Sequence, residues 1–261
     1  MILKGKSALV TGSTSGIGLG IANLLAQNGA NVMLNGLGSA EEIRSLRTTI
    51  EFNTGVSVLY SDADVSRAAD IYAMAQSAMD AFGTIDILVN NAGVQHVAPV
   101  DVFPADKWDL ILAVNLSAAF HAIRACIGGM KEKNWGRIIN IASAHGLVAS
   151  SYKSAYVAAK HGLIGLTKTV ALETAQLGIT CNAVCPGYVL TPLVEKQIED
   201  QAVAHRISRD EVIEKVMLER QPTKKFVTVE QVSQLCLYLC GDSSRSITGS
   251  SLTIDGGWTA Q

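Results

Sequence analysis

The sequence predicts an α/β fold of the Rossmann type, with a doubly wound, seven-stranded parallel sheet in a single domain. Three observations support this prediction: short apolar runs alternate with helical patterns, a glycine-rich turn follows the first run, and polar or glycine motifs follow later ones. Such alternation builds a parallel sheet covered by helices on both faces. A chain of 261 residues and 27.6 kDa suits one domain, since α/β domains reach about 250 residues around one sheet.

The predicted strands are short apolar runs bounded by polar residues or glycine. They lie near residues 7–12, 31–35, 56–61, 86–90, 137–142, 180–185 and 251–255. Prominent helical patterns run over residues 19–27, 108–131 and 154–177. Each predicted strand is followed by a helical pattern or by the end of the chain, so the strands are expected to run parallel.

One stretch, residues 191–225, departs from this alternation because it is charged, helical in pattern and without a predicted strand. Long insertions after the carboxyl end of a sheet strand are often lids over a binding site. We predict a substrate lid at 191–225 within the single domain of residues 1–261. The alternative is a solvated helical excursion.

The glycine-rich turn extends from Thr11 to Gly18 with the spacing G-x-x-x-G-x-G, between the first strand and the first helical pattern. Free backbone N–H groups at a helix start attract anions, and a pyrophosphate can approach closely where side chains are absent. The turn therefore predicts a dinucleotide phosphate site, although glycines after a strand can also form an ordinary turn.

A tyrosine and a lysine four residues apart, Tyr156 and Lys160, fall on one face of a predicted helix. A free phenol has a pKa of about 10, and a nearby cation favours the phenolate, so the pair can supply a base near working pH. Ser143 ends the predicted strand before this helix and can hydrogen-bond the same reacting oxygen. The pattern predicts a proton-transfer site. The alternative is a surface pair beside an ordinary strand-end serine.

Further motifs lie at or beside strand ends: Asp64-Val65, Asn90-Asn-Ala-Gly93, Asn115 in a helix, and Pro186-Gly187. With the glycine turn and Ser143…Tyr156-x-x-x-Lys160, they occur in the order and at the spacing of the short-chain dehydrogenase/reductase family. The chain resembles that family over essentially its full length.

The resemblance implies hydride transfer between a carbinol carbon and a nicotinamide cofactor. In that scheme Tyr156 is the acid/base, Lys160 lowers the pKa of Tyr156 and holds the nicotinamide ribose, Ser143 orients the substrate oxygen, and Asn115 supports a water-linked proton path. The family also implies a homotetramer.

The resemblance assigns the cofactor to residues along the glycine turn and the strand ends. These are Gly12, Thr14, Ser15, Gly16, Ile17, Gly18, Leu37, Asp64, Val65, Asn91, Ala92, Gly93, Tyr156, Lys160, Pro186, Gly187, Val189 and Thr191. NAD is favoured over NADP. Where many NAD-linked members carry an acid this chain has Asn35, Ser15 stands where NADP users often carry a base, and residues 35–40 contain no Lys or Arg to pair with a 2′-phosphate.

The substrate class is predicted from four polar residues placed around the catalytic tyrosine: Gln95, His145, Lys153 and Gln197. Two amides, an ammonium and an imidazole converging on one point would hold a carboxylate. Taken singly, each could be a surface or loop residue. The family resemblance adds Tyr188, Leu193 and Trp258 as the wall of the pocket. It implies a full substrate set of Gln95, Ser143, His145, Lys153, Tyr156, Tyr188, Leu193, Gln197 and Trp258.

The expected reaction is therefore NAD-linked oxidation of a small hydroxy acid. Two alternatives stay open. One is an NADPH-dependent 3-oxoacyl thioester reductase, whose carrier arm would need an open cleft and a basic docking surface. The other is a catalytically silent dinucleotide sensor, since a fold does not fix a function.

Composition limits the remaining possibilities. The net charge is 21 − 23 = −2, and no basic stripe with interleaved aromatics occurs, so no nucleic-acid partner is expected. The N-terminus lacks a signal-peptide pattern and no uninterrupted apolar run approaches about 18 residues, so a cytoplasmic protein without membrane contact is expected. The pairs Cys181/Cys185 and Cys236/Cys240 have apolar neighbours and no histidine at ligand spacing, which favours buried thiols over a metal site.

Overall fold

The computed structural model describes residues 1–191, 194–195, 198–199, 202 and 207–260. Its centre is a seven-stranded sheet in the order β3-β2-β1-β4-β5-β6-β7, with every neighbouring pair parallel. The strands are β1 Ser7–Val10, β2 Asn31–Asn35, β3 Val58–Ser61, β4 Ile87–Asn90, β5 Gly136–Ile141, β6 Ile179–Pro186 and β7 Ser251–Ile254. The predicted Rossmann-type fold is confirmed.

The sheet is buried on both faces because its strands alternate apolar side chains between two cores. On β1, Val10 packs into the core shared with the first and last long helices, whereas Leu9 packs into the core on the opposite face. Period-2 alternation of this kind gives the near-continuous hydrophobic runs that identify fully covered parallel strands. The strand order reverses between β1 and β4, so the crevice at their carboxyl ends is the expected ligand site.

The helices cover both faces of the sheet. They are α1 Gly16–Gln27, α2 Ala40–Thr54, α3 Ala68–Phe82, α4 Ala105–Leu112, α5 Ala118–Glu132, α6 Ser154–Thr174, α7 Arg209–Val212 and α8 Val229–Cys240. Residues of α1, α2 and α8 pack in one core, and residues of α3, α5 and α6 pack in the other. The helical pattern predicted at 108–131 is not one regular helix, because a π-helical turn, Ala113–Ser117, joins α4 to α5.

The predicted lid, residues 191–225, falls partly outside the described residues. In its described part, α7 continues into a π-helical turn, Ile213–Met217. Ile198, Val212 and Leu218 form a small buried cluster that Tyr188 and other residues pack against. The insertion therefore has its own apolar centre next to the end of β6. Its movement as a lid stays a prediction.

The stretch Ala105–Lys133 is long and apolar enough to cross a membrane by length and composition alone. A buried core helix passes the same test, and 44% of the relevant window is buried within the protein. Ala122, Ile123 and Cys126 of this stretch pack into the sheet core. At least part of this apolar stretch therefore packs against the sheet.

The five cysteines are free and buried. Burial raises the pKa of the Cys126 thiol to about 12, and it raises those of Cys181 and Cys240 to about 12 as well. Such thiols stay protonated and behave as small apolar groups. Among the described residues there is no group of three or more His, Cys, Asp or Glu that could hold a metal ion.

Candidate active site

The turn after β1 brings bare backbone to the crevice. Gly12 and Gly16 have φ values of 60° and 55°, which favour glycine, and a Cβ on Gly12 would come within 2.9 Å of Ala92 Cα. Ser15, the N-cap of α1, makes no side-chain capping hydrogen bond. The first N–H groups of α1 therefore lack that partner, as a phosphate-binding helix start requires.

The loop after β4 supports this turn. Thr11 Oγ1 accepts hydrogen bonds from the backbone N–H groups of Asn91 at 3.0 Å and Ala92 at 3.1 Å. In return, Asn91 Nδ2 donates to the carbonyls of Thr11 at 2.9 Å and Gly12 at 2.8 Å. The predicted cofactor residues Asn91 and Ala92 thus hold the glycine turn in shape from the other side of the crevice.

Asn35, which stands where many NAD-linked family members carry an acid, has a buried side chain at the end of β2. Its Oδ1 accepts from the Gly12 N–H at 3.2 Å. Nδ2 donates to the carbonyls of Ser61 at 3.2 Å and Ala63 at 2.9 Å. The amide therefore joins the glycine turn to the end of β3.

The proton-transfer residues meet as the sequence predicted. Lys160 lies one turn after Tyr156 on α6, with Nζ 5.6 Å from the centre of the Tyr156 ring. The lysine is buried, and Nζ donates to the Ile141 carbonyl at the end of β5 at 2.7 Å. Burial lowers the pKa of Lys160 to about 8. The ammonium can therefore change its protonation state close to physiological pH.

The electrostatics of Tyr156 differ from expectation. Desolvation raises the pKa of its hydroxyl, a hydrogen bond from Ser143 acts in the opposite direction, and Tyr188 raises it slightly further. Lys160 is not among the groups that shift this pKa, and its predicted effect on Tyr156 stays a prediction. In this structure Ser143 is the group that favours the phenolate.

Ser143 links the tyrosine to a histidine that is held neutral. Its Oγ accepts from the His145 backbone N–H at 3.2 Å and lies 3.5 Å from His145 Nδ1. Burial, followed by the charges of Lys153, Arg220 and His161, lowers the pKa of His145 to about 4. His145 Nε2 is buried and has no hydrogen-bond partner among the described residues. A buried, neutral imidazole nitrogen without a partner is suited to bind a polar ligand atom.

Asn115 is held by the loop after β4. Its Oδ1 accepts from the Val94 N–H at 2.8 Å and its Nδ2 donates to the Val94 carbonyl at 2.9 Å. A small cavity of about 10 Å³ is lined by Asn115, Lys160, Asn90 and neighbouring residues. That volume is at the lower limit for one water molecule. The geometry is compatible with the predicted water-linked proton path.

A larger cavity of about 230 Å³ collects most of the predicted substrate residues. Its lining includes Gln95, Ser143, His145, Lys153, Tyr156, Tyr188 and Trp258. Two further predicted residues, Leu193 and Gln197, lie outside the described residues. All the described members of the predicted set therefore face one space, beside the catalytic tyrosine.

Aromatic rings form one wall of this cavity. The Trp258 ring stacks on Tyr188, with centroids 5.5 Å apart, and meets His145 edge-on at 4.9 Å. Lys153 Nζ donates to Tyr188 Oη at 3.4 Å. The wall combines an apolar surface with an ammonium at one end, which suits a short chain carrying one negative charge.

Two residues that the sequence reasoning missed hold this wall. Gln221 is buried and its Oε1 accepts from the Tyr188 N–H at 3.2 Å, while its Nε2 donates to the Lys225 carbonyl. Asp255 accepts from the Gly257 and Thr259 N–H groups and so fixes the turn that carries Trp258. Asp255-Gly-Gly-Trp258 offers a turn signal in the sequence, whereas nothing local marks Gln221.

Most of the predicted cofactor residues lie along the crevice, in two cavities and in the turn between them. Ile17, Asn91, Gly93, Tyr156, Lys160, Pro186, Gly187, Val189 and Thr191 border the catalytic cavity, and Thr14, Ser15 and Leu37 border a second cleft beside α2. Gly12, Gly16, Gly18 and Ala92 shape the turn between them. The bare turn and uncapped helix start fit a dinucleotide phosphate.

Asp64 and Val65 are placed less directly. Asp64 is exposed after β3, and its Oδ1 accepts from the Ser66 N–H at 2.9 Å. Val65 packs against the core on that face of the sheet. Their contact with a cofactor stays a prediction.

Comparison with known proteins agrees with this geometry. A family model described as "Enoyl-(Acyl carrier protein) reductase", one of the short-chain dehydrogenase/reductase models, matches residues 12–259. The chain belongs to the short-chain dehydrogenase/reductase family. The resemblance carried by the glycine turn and the Tyr156-x-x-x-Lys160 pair is thereby confirmed.

Individual members of the family resemble the chain over nearly its full length. It is 59% identical to a D-beta-hydroxybutyrate dehydrogenase of Rhizobium meliloti, covering 98% of this chain and 99% of that protein. It is 52% identical to a D-beta-hydroxybutyrate dehydrogenase of Cupriavidus necator, covering 100% of both. A solved structure of an actinorhodin polyketide ketoreductase variant with NADPH has a TM-score of 0.90 and 33% identity, covering 98% of each chain.

Proposed function

We propose that this short-chain dehydrogenase catalyses the reversible oxidation of (R)-3-hydroxybutyrate to acetoacetate with NAD. The observation that supports this most strongly is the convergence of Lys153, His145 and Gln95 with Ser143 and Tyr156 on one cavity. Such a site binds a carboxylate at one end and a secondary hydroxyl at the other. The two D-beta-hydroxybutyrate dehydrogenases, at 59% and 52% identity, support the same choice.

In the oxidation direction, Ser143 and Tyr156 hydrogen-bond the substrate C3 hydroxyl. When bound, NAD accepts the hydride that leaves C3. Tyr156 in its phenolate form removes the hydroxyl proton, so C3 becomes the ketone carbon of acetoacetate. Lys160, on the same helix face and beside the small cavity at Asn115, then passes the proton toward solvent.

At the other end of the cavity, Lys153 supplies the positive charge for the carboxylate. His145 Nε2 and the Gln95 amide add neutral hydrogen bonds, because the lowered pKa of His145 keeps its ring uncharged at neutral pH. Trp258 and Tyr188 cover the apolar part of the substrate. Fixing the carboxylate in this way places C3 beside Tyr156 and orients one of its two faces.

NAD is the proposed cofactor. The cleft beside α2 is lined by Thr14, Ser15 and residues of the segment from Leu37 to Thr49, and none of its lining residues is a lysine or arginine. A 2′-phosphate bound there would have no cation to pair with. NAD carries a hydroxyl at the same position, and this hydroxyl needs no cation.

A second candidate is a 3-oxoacyl thioester reductase using NADPH. It is favoured by the structural similarity to a polyketide ketoreductase with NADPH, at a TM-score of 0.90. A thioester has no free carboxylate, so Lys153 would have no charge to bind at the inner wall. A non-catalytic dinucleotide sensor is less well supported, since Asn115, Ser143, Tyr156 and Lys160 are all present and placed together.

The deciding experiment follows NADH formation with both enantiomers of 3-hydroxybutyrate, with sugar alcohols and with 3-hydroxyacyl thioesters. We expect turnover with the R enantiomer to exceed turnover with the others. Turnover with NADP and thioesters in preference to the free acid would establish the reductase instead.

We also propose a cytoplasmic homotetramer without a nucleic-acid or membrane partner. Exposed apolar residues on the helices α4 to α6, including Trp108, Phe120 and Leu172, offer surface for association between copies. The small net charge of −2 gives no general attraction to nucleic acid. Light scattering during gel filtration would measure the number of copies.

A further inference from the structure

The cleft beside α2 contains fixed negative charge. It lies on the β2 side of the glycine turn, where a Rossmann fold places the adenosine ribose of its dinucleotide. Thr14 and Ser15 form one side, and Leu37, Glu41 and Glu42 form the other. The Leu37 side chain is 91% exposed and is free to cover a bound base.

The usual source of selectivity at this point is missing from the end of the strand. Asn35 has its amide engaged with Gly12, Ser61 and Ala63, so it cannot serve the ribose. The following residues, 36–40, carry no acidic side chain. Any discrimination between a ribose hydroxyl and a ribose phosphate must come from farther along the chain.

Glu42, in the first turn of α2, is held in one position by the serine before the helix. Its Oε2 accepts from Ser39 N and from Ser39 Oγ, both at 2.8 Å, and Ser39 Oγ accepts from the Glu42 N–H at 3.3 Å. This reciprocal arrangement is a capping box. The Ser39 hydrogen bonds lower the pKa of Glu42, so the carboxylate is ionised at neutral pH.

The same arrangement occupies two of the backbone N–H groups at the start of α2, those of Ser39 and Glu42. A free helix start is an anion site, but here Glu42 is already bonded to the N-cap N–H. The carboxylate lies close to the loop after β2, since a Cβ on Gly38 would be 3.8 Å from Glu42 Oε2. The side chains of Arg44 and Arg47 do not line the cleft, and Arg47 Nε donates to the Val58 carbonyl at 3.0 Å instead.

We propose that Glu42 is the residue that excludes the 2′-phosphate of NADP, a specificity role that rests on the NAD-linked function proposed above. A phosphate on the adenosine ribose would meet a fixed carboxylate at a helix start whose N-cap N–H is already bonded. A ribose hydroxyl can instead donate a hydrogen bond toward that carboxylate. Selectivity therefore comes from a helix-capping residue and not from the end of β2.

The test uses Glu42→Gln, because a glutamine at this position of a capping box preserves the helix cap while removing the charge. Dissociation constants of NAD and NADP are measured by tryptophan fluorescence quenching, together with kcat/KM for each cofactor. We expect NADP affinity to rise about three- to tenfold relative to NAD, since an exposed charge acts weakly on a doubly charged phosphate.

The matched control is Glu132→Gln, which makes the same charge change at the end of α5. Glu132 lies just before the start of β5, and the glycine turn lies at the other, carboxyl ends of the strands. The ratio of its NADP and NAD dissociation constants should equal that of the wild type. An equal shift in both variants would indicate a general effect of net charge and overturn the role of Glu42.

The ratio of NADP and NAD dissociation constants in the wild type separates the proposed NAD preference from its assignment to Glu42. A wild-type enzyme that binds NADP as tightly as NAD would refute the NAD preference itself. A wild-type enzyme that prefers NAD, with the same ratio in Glu42→Gln, would refute only the assignment to Glu42. Circular dichroism of the variant confirms that α2 is retained.

Discussion

Lys153 Nζ lies 3.4 Å from Tyr188 Oη, and the tyrosine ring is stacked on Trp258 at 5.5 Å. The Lys153 ammonium is thus positioned by a residue that lies just after β6. Tyr188 is in turn held by Gln221, which accepts from its backbone N–H. Lys153 is therefore joined to the aromatic wall through the Tyr188 hydroxyl, and the insertion after β6 is joined to the same residue through its backbone N–H.

Tyr188→Phe tests this relationship, because phenylalanine keeps the stacked ring and removes only the hydroxyl. The hydrogen bond from the Lys153 ammonium is charge-assisted but long, at 3.4 Å, so its loss should cost about 1.5 kcal/mol, and we expect KM for 3-hydroxybutyrate to rise by about tenfold. The kcat should change by less than about twofold, since Tyr188 does not touch the reacting atoms in the proposed mechanism. Steady-state kinetics separate the two constants, and an unchanged KM would show that Lys153 does not depend on Tyr188.

Tyr156→Phe tests the acid/base assignment. Acid/base groups contribute about 10²–10⁴-fold to rate, so we expect a loss in that range in kcat, with NAD binding retained. Fluorescence titration with NAD provides the binding measurement in the same variant. Activity within threefold of the wild type would remove Tyr156 from the mechanism.

The local parts of the site were predictable from the sequence. Tyr156 and Lys160 share a helix face by spacing alone, and Ser143 is placed by the end of an apolar run. The glycine turn is equally local, because its φ values and bare backbone follow from residue type. These features needed no knowledge of distant segments.

Other features depend on distant contacts and were missed or misjudged. Asn35 was read only as the replacement of an acid, but its amide is bound by groups from two separate segments, the glycine turn and the end of β3. Gln221 supports Tyr188 from 33 residues away along the chain. The pKa of Tyr156 is raised because burial outweighs its hydrogen bond, and burial is a tertiary property.

The carboxylate site is tested by Lys153→Ala and Gln95→Ala. Hydrogen bonds to a charged group contribute roughly 1.5–3 kcal/mol, so kcat/KM for 3-hydroxybutyrate should fall by about ten- to a hundredfold. The methyl ester of the substrate offers no carboxylate, so its slower turnover should change much less. Equal losses with acid and ester would mean that these residues support the catalytic face instead of binding the carboxylate.

The lowered pKa of His145 makes the free energy of unfolding depend on pH in the acid range. Its pKa is lowered to about 4 by burial, with smaller contributions from Lys153, Arg220 and His161. In the unfolded chain a histidine has a pKa of about 6.5. Between that pH and about 4 the unfolded chain therefore binds more protons than the folded one. The contribution of His145 to the free energy of unfolding should therefore be complete above about pH 6.5. It should decrease as the pH drops from there to about 4.

We expect His145→Gln to flatten the fall in unfolding free energy between about pH 6.5 and 4, since glutamine does not titrate. At one pKa unit per 1.36 kcal/mol, the contribution is at most about 3 kcal/mol. Urea unfolding at several pH values measures it. His121→Gln is the control for replacing a histidine as such, because His121 lies on α5 and is not among the groups that lower the pKa of His145. A wild-type slope retained in His145→Gln would show that other groups cause the acid sensitivity, and that the ring of His145 is not held neutral by burial.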